Sequence, residues 1–353
     1  MRILAINPGS TTTKIAVYEN ENRLFVKTFY HSSDDLAPFH SIISQYDYRK
    51  NLIISELKKE NLFSGFAAIV GRGGLLKPIP SGVYEVNERM KSDLRDAIMQ
   101  HACNLGGLLA EEISLLISGC KAYIADPVVV DELEDVARIS GSPLLPRLSV
   151  FHALNHKAIA RKYARSINKN YEELNLVVAH LGGGISVAAH KQGRVIDVNN
   201  ALDGSGSFSP ERAGTLPARQ LVELCFSGEY TKDEIEKMIR GRGGLMAHLG
   251  TTDVQKVIKL IEEGDKKAEL ILEAMIYNIA KEIGSMCVVL NGKVDAIVLT
   301  GGIAYSNYCV NKLSKQISFL APISIFPGED EMEALAFNAL GALKGELVCE
   351  EYI

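Results

Sequence analysis

The sequence lacks the paired cysteines that mark a disulfide framework or a structural zinc site. Six cysteines are scattered along 353 residues, and none belongs to a Cys-x-x-Cys pair. No histidine stands at zinc-ligand spacing from one of them. We therefore expect free and mostly buried thiols, with a disulfide-bonded scaffold as the less favoured alternative.

Long apolar runs and an excess of positive charge are also missing. The first apolar segment follows Met1-Arg2 directly and is interrupted by Asn7-Pro8, so we expect neither a secretory signal nor a membrane span, and a cytoplasmic location. A net charge of -5 and a pI of about 6.0 give no reason to expect a nucleic-acid partner. A chain of 353 residues is long enough for two domains that each bury a core.

A glycine-rich turn lies near the middle of the chain. Apolar segments at 176–179 and 185–189 are typical of strands, and His180-Leu181-Gly182-Gly183-Gly184 joins them. Glycines allow a backbone to approach a phosphate closely and to direct successive N–H groups at it. A mobile hairpin tip is the alternative. Because a strand and not a helix follows the glycines, the segment is not a dinucleotide-binding fingerprint.

The same design occurs at both ends of the chain. Residues 3–17, ILAINPGSTTTKIAV, indicate a strand, a turn rich in hydroxyl groups and a second strand. Residues 296–303, AIVLTGGI, indicate a strand that runs into Gly301-Gly302. Asn7 aligns with His180, and Gly9 with Gly182. This internal similarity indicates a duplicated domain.

These motifs resemble those of the acetate and propionate kinase family. INPGSTTTK, HLGGGIS and LTGGI occur in the family's order, together with VGRGG and DPVVVDELEDVARISG. The segments DPVVVDE, FHALN and NNALDGSG are most similar to its butyrate kinase branch. The resemblance covers essentially the whole chain. It implies an α/β protein of two duplicated actin-like (ribonuclease H-like) domains with a nucleotide cleft between them, one at 1–150 to which the helix at about 332–353 returns, the other at 151–331.

The resemblance also implies a reaction. The γ-phosphoryl group of ATP would pass reversibly to butyrate or a branched short-chain fatty acid, giving an acyl phosphate and ADP, with Mg²⁺ as a further cofactor. A carboxylic acid with a pKa of about 4–5 is ionised at neutral pH and needs no general base. A homodimer or a larger homo-oligomer is expected. The alternatives are an acetate or propionate kinase and a non-catalytic actin-like nucleotide-binding protein.

Candidate site residues follow from the matching motifs. The resemblance implies catalytic roles for His180, Arg72 and Arg212, which would bring positive charge to the transferring phosphoryl group. It implies nucleotide-binding roles for Asn7, Ser10, Lys14, Gly182, Gly183, Gly184, Asp253, Gly301 and Gly302, and metal-binding roles for Asn7 and Glu331. A surface position is the alternative for Arg72 and Arg212, and a helix terminus is the alternative for Glu331.

Three positions depart from the family's pattern. His152 stands where the family has an Asp that is regarded as catalytic, Ile69 where it has an Arg, and Gln255 where an Arg is usual. His152 and Asp126 therefore become candidates for the role of that Asp. His152 and His156 share a helix face, but no third ligand stands near them in the sequence, so we expect no metal there.

Overall fold

The computed structural model describes residues 1–97 and 100–353, and it has a mixed α/β fold. Two compact units are present, Met1–Val130 together with Asp330–Ile353, and Asp131–Glu329. Each unit has its own buried apolar core. The C-terminal helix belongs to the first unit, and the first division falls at Val130 instead of residue 150. In the described residues, no helix is both long and apolar enough to cross a membrane.

The segment between Val130 and residue 150 belongs to the second unit because of contacts with one strand there. The backbone N–H of Glu134 donates to the carbonyl of Ile196 over 3.0 Å. Arg147 Nη2 lies 2.7 Å from Asp197 Oδ1 and donates to the carbonyl of Val198 over 3.0 Å. These contacts come from irregular backbone, which carries no periodic signal in the sequence.

The strands and helices are numbered in chain order. The strands are β1 (Arg2–Pro8), β2 (Thr12–Glu19), β3 (Asn22–Tyr30), β4 (Phe66–Arg72), β5 (Val83–Glu85), β6 (Lys121–Ala125), β7 (Asn175–Leu181), β8 (Ile185–Lys191), β9 (Arg194–Val198), β10 (Ala296–Gly301), β11 (Ile323–Pro327) and β12 (Cys349–Glu350). The helices are α1 (Ser33–Leu36), α2 (Tyr46–Lys59), α3 (Glu88–Arg95), α4 (Leu105–Ser114), α5 (Asp135–Arg138), α6 (Ala153–Ser166), α7 (Ala218–Cys225), α8 (Lys232–Ile239), α9 (Gly244–Leu249), α10 (Val254–Glu262), α11 (Lys266–Val289), α12 (Asn307–Ile317) and α13 (Glu331–Lys344). Short 3₁₀ turns lie at Ile43–Gln45, Ala102–Asn104, Tyr171–Glu173 and Gly302–Tyr305.

The two sheets share one strand arrangement. Their orders are β12-β5-β6-β4-β1-β2-β3 in the first unit and β11-β10-β7-β8-β9 in the second. In each, a hairpin (β1–β2 or β7–β8) is extended by a third antiparallel strand, and its first strand pairs in parallel with a later one (β4 or β10). A further parallel strand, β6 or β11, follows on that side. The predicted duplication is confirmed.

Strand β7 is almost entirely apolar because helices cover both faces of its sheet. Val177 and Ala179 belong to the core that includes α11. Leu176 and Val178 alternate with them and belong to a second cluster with α6. Because side chains alternate along a strand, His180 at the end of β7 falls on the α6 side.

Candidate active site

His180 is held by residues at the start of α6. Its Nδ1 atom lies 2.9 Å from Asn155 Oδ1. The ring of His152 stacks on it, with centroids 3.9 Å apart and 16° between the planes. The side chain of His180 is only 2% exposed. One hydrogen bond and one ring contact therefore fix the orientation of this imidazole.

A carboxylate faces the other nitrogen of His180. Glu329 Oε1 lies 3.0 Å from His180 Nε2. Glu329 reaches this position because Gly328 and Gly301 exchange two backbone hydrogen bonds, of 3.0 and 3.2 Å, at the ends of β11 and β10. Each nitrogen of His180 therefore faces an oxygen atom, one of Asn155 and one of Glu329. The sequence motif did not indicate Glu329 as a partner of His180.

Each glycine of the turn lies beside a charged or polar side chain, which occupies the space that a Cβ on the glycine would need. A Cβ built on Gly182 would lie 3.0 Å from His180 Nε2 and 3.1 Å from Glu329 Oε1. A Cβ on Gly183 would lie 3.3 Å from a carboxylate oxygen of Glu211, and one on Gly184 would overlap the guanidinium of Arg212. The turn thus gathers four side chains, the basic His180 and Arg212 and the acidic Glu211 and Glu329.

The backbone N–H of Gly182 does not point outward. It donates to the carbonyl of Gly184 over 3.1 Å, which closes the turn. The carbonyl of Gly183 accepts a hydrogen bond of 2.5 Å from the Ser209 hydroxyl. The N–H of Gly182 is therefore not available to a phosphate, contrary to the prediction that successive N–H groups of the turn point at one. The side chains around the turn provide much of its polar surface.

Arg212 lies against this turn in a largely buried position. Its side chain is 21% exposed, its Nη1 donates to the carbonyl of Ala201, and its Nη2 lies 3.9 Å from Glu211 Oε1. Burial lowers the pKa of the Arg212 guanidinium, and the carboxylates of Glu211 and Asp203 oppose this shift. An arginine remains charged at neutral pH even so. The site therefore holds a cation whose hydration is reduced.

In the first unit, Asn7, Arg72 and Glu331 form a connected group. Asn7 and Arg72 lie at the carboxyl ends of β1 and β4, which are parallel neighbours. Arg72 Nη1 is 3.1 Å from Glu331 Oε2 and 3.5 Å from Asn7 Oδ1. Asn7 Nδ2 donates to Glu331 Oε2 over 2.5 Å. Lys14 stands directly opposite Asn7 in the β1–β2 register, so these two side chains share a face.

Arg49 supports the turn that contains Ser10, and no motif in the sequence indicated this contact. Arg49 is fully buried on α2. Its Nη1 donates to the carbonyls of Gly9 and Thr12 over 2.9 and 2.8 Å, and its Nη2 to that of Ser10 over 3.3 Å. A signal was present, because Arg49 precedes Ile53 by four residues on the apolar face of α2.

The oxygen groups of the first unit fit a hydrated metal that arrives with a nucleotide. In residues 1–97 and 100–353, no group of three His, Cys, Asp or Glu side chains could hold a metal alone. Mg²⁺ usually keeps several waters and takes one or two carboxylates together with phosphate oxygens. Asn7 Oδ1 and the carboxylate of Glu331 provide that kind of donor set.

Three further predicted positions differ in their local surroundings. Asp253 caps α10, where its Oδ1 accepts from the N–H groups of Gln255 and Lys256 over 2.9 and 3.3 Å. Gly301 has a φ of 88°, and a Cβ there would overlap the backbone of Leu181. In residues 1–97 and 100–353, no atom other than those of its chain neighbours lies within 4 Å of a Cβ built on Gly302. Their predicted contacts with a nucleotide stay predictions.

Asp126 has a structural explanation. Its Oδ1 accepts from the Ser81 hydroxyl over 2.6 Å and from the N–H of Gly82 over 3.0 Å. Its Oδ2 lies 3.4 Å from Asn338 Nδ2. These bonds join the entry to β5 with α13 inside the first unit. They account for a buried carboxylate without a catalytic role.

Comparison with known proteins identifies the family. Residues 144–324 match the model of the acetokinase family. The probable butyrate kinase of Bacteroides thetaiotaomicron is 62% identical over 352 residues, which is 100% of both chains. Butyrate kinase 2 of Clostridium acetobutylicum is 53% identical over 353 residues, which is 99% of each. The chain belongs to the acetokinase family.

Solved structures of acetokinase-family enzymes have the same fold. Acetate kinase of Porphyromonas gingivalis superposes with a TM-score of 0.80 at 19% identity, over 97% of this chain and 99% of that one. Acetate kinase of Entamoeba histolytica gives a TM-score of 0.77 at 15% identity, over 98% and 100%. The predicted family and its duplicated actin-like fold are confirmed. The acetokinase model spans His180, Arg212 and Asp253, and the group around Asn7 lies outside the matched residues.

Proposed function

We propose that this chain is a carboxylate kinase that transfers the γ-phosphoryl group of ATP to butyrate or a branched short-chain fatty acid, reversibly, giving an acyl phosphate and ADP. The observation that carries the proposal is the end-to-end identity of 62% with a protein named probable butyrate kinase. Two basic side chains at strand ends also support it, Arg72 at the end of β4 and His180 near the end of β7.

The reaction moves one phosphoryl group between two anions. A carboxylate oxygen attacks the γ-phosphorus and forms a P–O bond, while the bond from that phosphorus to the β–γ bridging oxygen breaks and ADP leaves with the electron pair. Negative charge develops on the transferring group, so the protein must direct fixed positive charge and N–H donors at it. We assign His180, Arg212 and Arg72 to this task.

The acceptor needs no general base, because the carboxylate is already ionised at neutral pH. A histidine in place of the family's Asp at position 152 is therefore compatible with the reaction. We assign direct in-line transfer as the mechanism, with His180 as the donor closest to the glycine turn. Its Nε2 atom faces Glu329, so a phosphoryl oxygen that binds there takes the place of a carboxylate oxygen.

Asn7, Ser10 and Lys14 are assigned to the nucleotide phosphates, and Asn7 and Glu331 to Mg²⁺. When bound, the metal ion neutralises charge on the phosphate oxygens. Gly182, Gly183, Gly184, Gly301 and Gly302 are assigned to the backbone that approaches the nucleotide. Asp253 is assigned to the ribose, with its Oδ2 atom as the acceptor, because Oδ1 already caps α10.

A hydroxamate assay tests the activity. The purified protein is incubated with butyrate, ATP, MgCl₂ and hydroxylamine, and the acyl hydroxamate is measured. Arg212→Ala should reduce turnover by about 10²-fold or more, as loss of one donor at developing charge does. Arg219→Ala is the matched control, because Arg219 is 91% exposed and forms its ion pair with Glu223 on its own helix. A wild-type rate for Arg212→Ala would remove Arg212 from the site.

The same assay tests the acyl chain. Butyrate, isobutyrate, valerate, propionate and acetate are compared by kcat/KM at one ATP concentration. One methylene in an apolar pocket is worth only about 1–3 kcal/mol, so the preference should be graded, with butyrate or a branched acid highest. Acetate as the best substrate would contradict the assignment to butyrate and leave the reaction unchanged. No hydroxamate with any of the five acids would contradict the reaction itself.

A further inference from the structure

A buried row of polar side chains leads from the 3₁₀ turn before β7 to His152. Tyr171 Oη lies 2.6 Å from His190 Nδ1. His190 Nε2 lies 3.3 Å from His156 Nδ1, and His156 Nε2 lies 2.8 Å from Ser186 Oγ. Ser186 Oγ lies 2.8 Å from His152 Nδ1. His156, His190 and Ser186 are 0% exposed, so each link lies away from solvent.

The two inner histidines are neutral. Burial lowers the pKa of His156 well below its usual value, and the neighbouring His180 and Lys157 lower it further. Burial also lowers the pKa of His190, with His156, Lys157 and Arg161 acting in the same direction. A neutral imidazole has one N–H donor and one acceptor nitrogen. Each ring must therefore accept on one side and donate on the other, so the row has a single direction.

The tyrosine end sets this direction. A phenol O–H is a stronger donor than its oxygen is an acceptor, and 2.6 Å is a short distance that suits an O–H donor. Tyr171 then donates to His190 Nδ1, and His190 Nε2–H donates to His156 Nδ1. His156 Nε2–H donates to Ser186 Oγ, and the Ser186 hydroxyl donates to His152 Nδ1. All three histidines in the row carry their proton on Nε2.

The other end of the row meets the candidate active site. His152 lies flat against His180, with ring centroids 3.9 Å apart. Two charged imidazoles at this distance would repel each other. His180 has an oxygen acceptor at each nitrogen, Asn155 Oδ1 at 2.9 Å and Glu329 Oε1 at 3.0 Å, whereas His152 Nδ1 receives a hydroxyl proton. A ring that accepts a hydrogen bond at Nδ1 is not doubly protonated, so His152 is neutral.

We propose that Tyr171, His190, His156 and Ser186 hold His152 as a neutral positioning residue that fixes the ring plane of His180. A catalytic group must be kept within about 0.5 Å of its productive position, and a row of single, directed hydrogen bonds does this from inside the core. The inference rests on the proposed role of His180 in phosphoryl transfer. The motifs assigned no role to Tyr171, His190, His156 or Ser186.

Kinetic variants test the row at two places. Tyr171→Phe removes the terminal donor and keeps the ring; kcat should fall about fivefold, the effect of one net hydrogen bond. Ser186→Ala separates His152 from the inner histidines, and kcat should fall by at least about tenfold, because the direct link is lost. KM for ATP and for butyrate should stay within about twofold of wild type for both variants, because ring orientation acts on the transfer step.

Tyr163→Phe is the matched control. Tyr163 and Tyr171 belong to the same apolar cluster, and the Tyr163 side chain is not a member of the row. Its kcat and KM should equal those of wild type. If Tyr171→Phe and Ser186→Ala also keep the wild-type kcat, the row has no role in catalysis and the inference is wrong.

Ring ¹⁵N NMR gives a readout that does not depend on activity. The chain has eight histidines, and their protonation states are read from two-bond ¹H–¹⁵N correlations after ¹⁵N-histidine labelling. His152, His156 and His190 should each appear as the neutral Nε2–H form at pH 7, and Tyr171→Phe should shift the His190 nitrogens first. A charged His156, or either inner ring as the Nδ1–H form, would overturn the inference. A wild-type protein with these signals and no hydroxamate activity would instead contradict the proposed function.

Discussion

The guanidinium of Arg212 fills the space that a side chain at Gly184 would need. A Cβ built on Gly184 would overlap Arg212 Nη1 and lie 2.5 Å from its Cζ. The backbone of Gly184 does not have a positive φ, so space and not conformation requires glycine here. The glycine turn and the arginine of the later SPERAG segment are therefore parts of one arrangement.

Gly184→Ala should lower kcat with little effect on stability. The added methyl group displaces the end of a flexible side chain, which moves at small cost to the fold, but Arg212 loses its place beside the turn. We expect kcat to fall by about 10²-fold, as for loss of a charged donor at the transferring group. The measurement is kcat from the hydroxamate assay, together with the thermal unfolding midpoint.

Gly141→Ala controls for the substitution itself, because a Cβ at Gly141 has open space and the backbone there needs no positive φ. It should leave both quantities unchanged. If Gly184→Ala retained the wild-type kcat, the contact between this glycine and Arg212 would have no catalytic meaning.

Glu331→Gln should raise the Mg²⁺ concentration needed for half-maximal activity. Gln keeps the side-chain length and removes the charge that the metal and Arg72 share. The test is a Mg²⁺ titration at saturating ATP and butyrate. Glu333→Gln is the control, because Glu333 also lies in the first turn of α13 and interacts with the same helix dipole. Equal shifts in the two variants would assign Glu331 to the helix terminus and not to the metal.

The sequence was sufficient to predict the strand ends that carry the candidate site. Asn7, Arg72 and His180 each follow an apolar run, and a parallel strand presents its carboxyl end at one edge of its sheet. The meeting of Asn7 with Arg72 follows from this rule, because β1 and β4 are adjacent. The repeated strand–turn–strand pattern likewise predicted that both sheets contain the same arrangement.

The contacts that support these groups were not predictable in the same way. Arg49 sits on α2 and reaches the turn near Ser10, about forty positions earlier in the chain. Tyr171 and His190 join a row whose members come from different elements. A single sequence gives no side-chain direction for residues that meet only after folding. Arginine and histidine also occur often at exposed positions, so the residue type alone did not indicate that Arg49 and His190 are buried.

Replacing Arg49 should destabilise the first unit and weaken ATP binding. The loss of ATP binding should differ between two variants, Arg49→Met and Arg49→Lys. Arg49→Met removes the donor to the carbonyls of Gly9 and Ser10, at about 1–3 kcal/mol for each group left unsatisfied, while the Thr12 carbonyl still accepts from the N–H of Gly9 over 2.8 Å. Arg49→Lys keeps the positive charge below the turn and loses the fork of N–H groups. We expect both to lose stability, and Arg49→Met to show the larger rise in KM for ATP.

Urea unfolding and ATP kinetics measure these two effects. Lys59→Met on the same helix is the control, since Lys59 is 67% exposed and its ion pairs are on the surface. An equal KM for ATP in the Lys and Met variants of Arg49 would mean that the buried charge is irrelevant to nucleotide binding and that Arg49 only shapes the turn.

Acid should destabilise the second unit through its two buried neutral histidines. Burial holds the pKa of His156 and of His190 well below the usual value, so the folded protein binds fewer protons there than the unfolded chain does. Above the pKa of about 6.5 in the unfolded chain, the histidines are neutral in the folded and the unfolded state, and their contribution to the free energy of unfolding is fully present. As the pH falls below about 6.5, the unfolded chain takes up protons and this contribution is lost. Each histidine contributes a slope of up to about 1.4 kcal/mol per pH unit.

The pH dependence is measured as the free energy of unfolding in urea at pH 7.5, 6.5 and 5.5. His31 and His101 in the first unit also have pKa values lowered by burial, so the informative quantity is the difference between wild type and His190→Gln. That variant should be less stable at pH 7.5 and should lose less stability on acidification, because one proton-linked group is gone. Tyr163→Phe, which removes no group that titrates in this range, should retain the wild-type slope. An identical slope in wild type and His190→Gln would show that His190 is not held neutral by the fold.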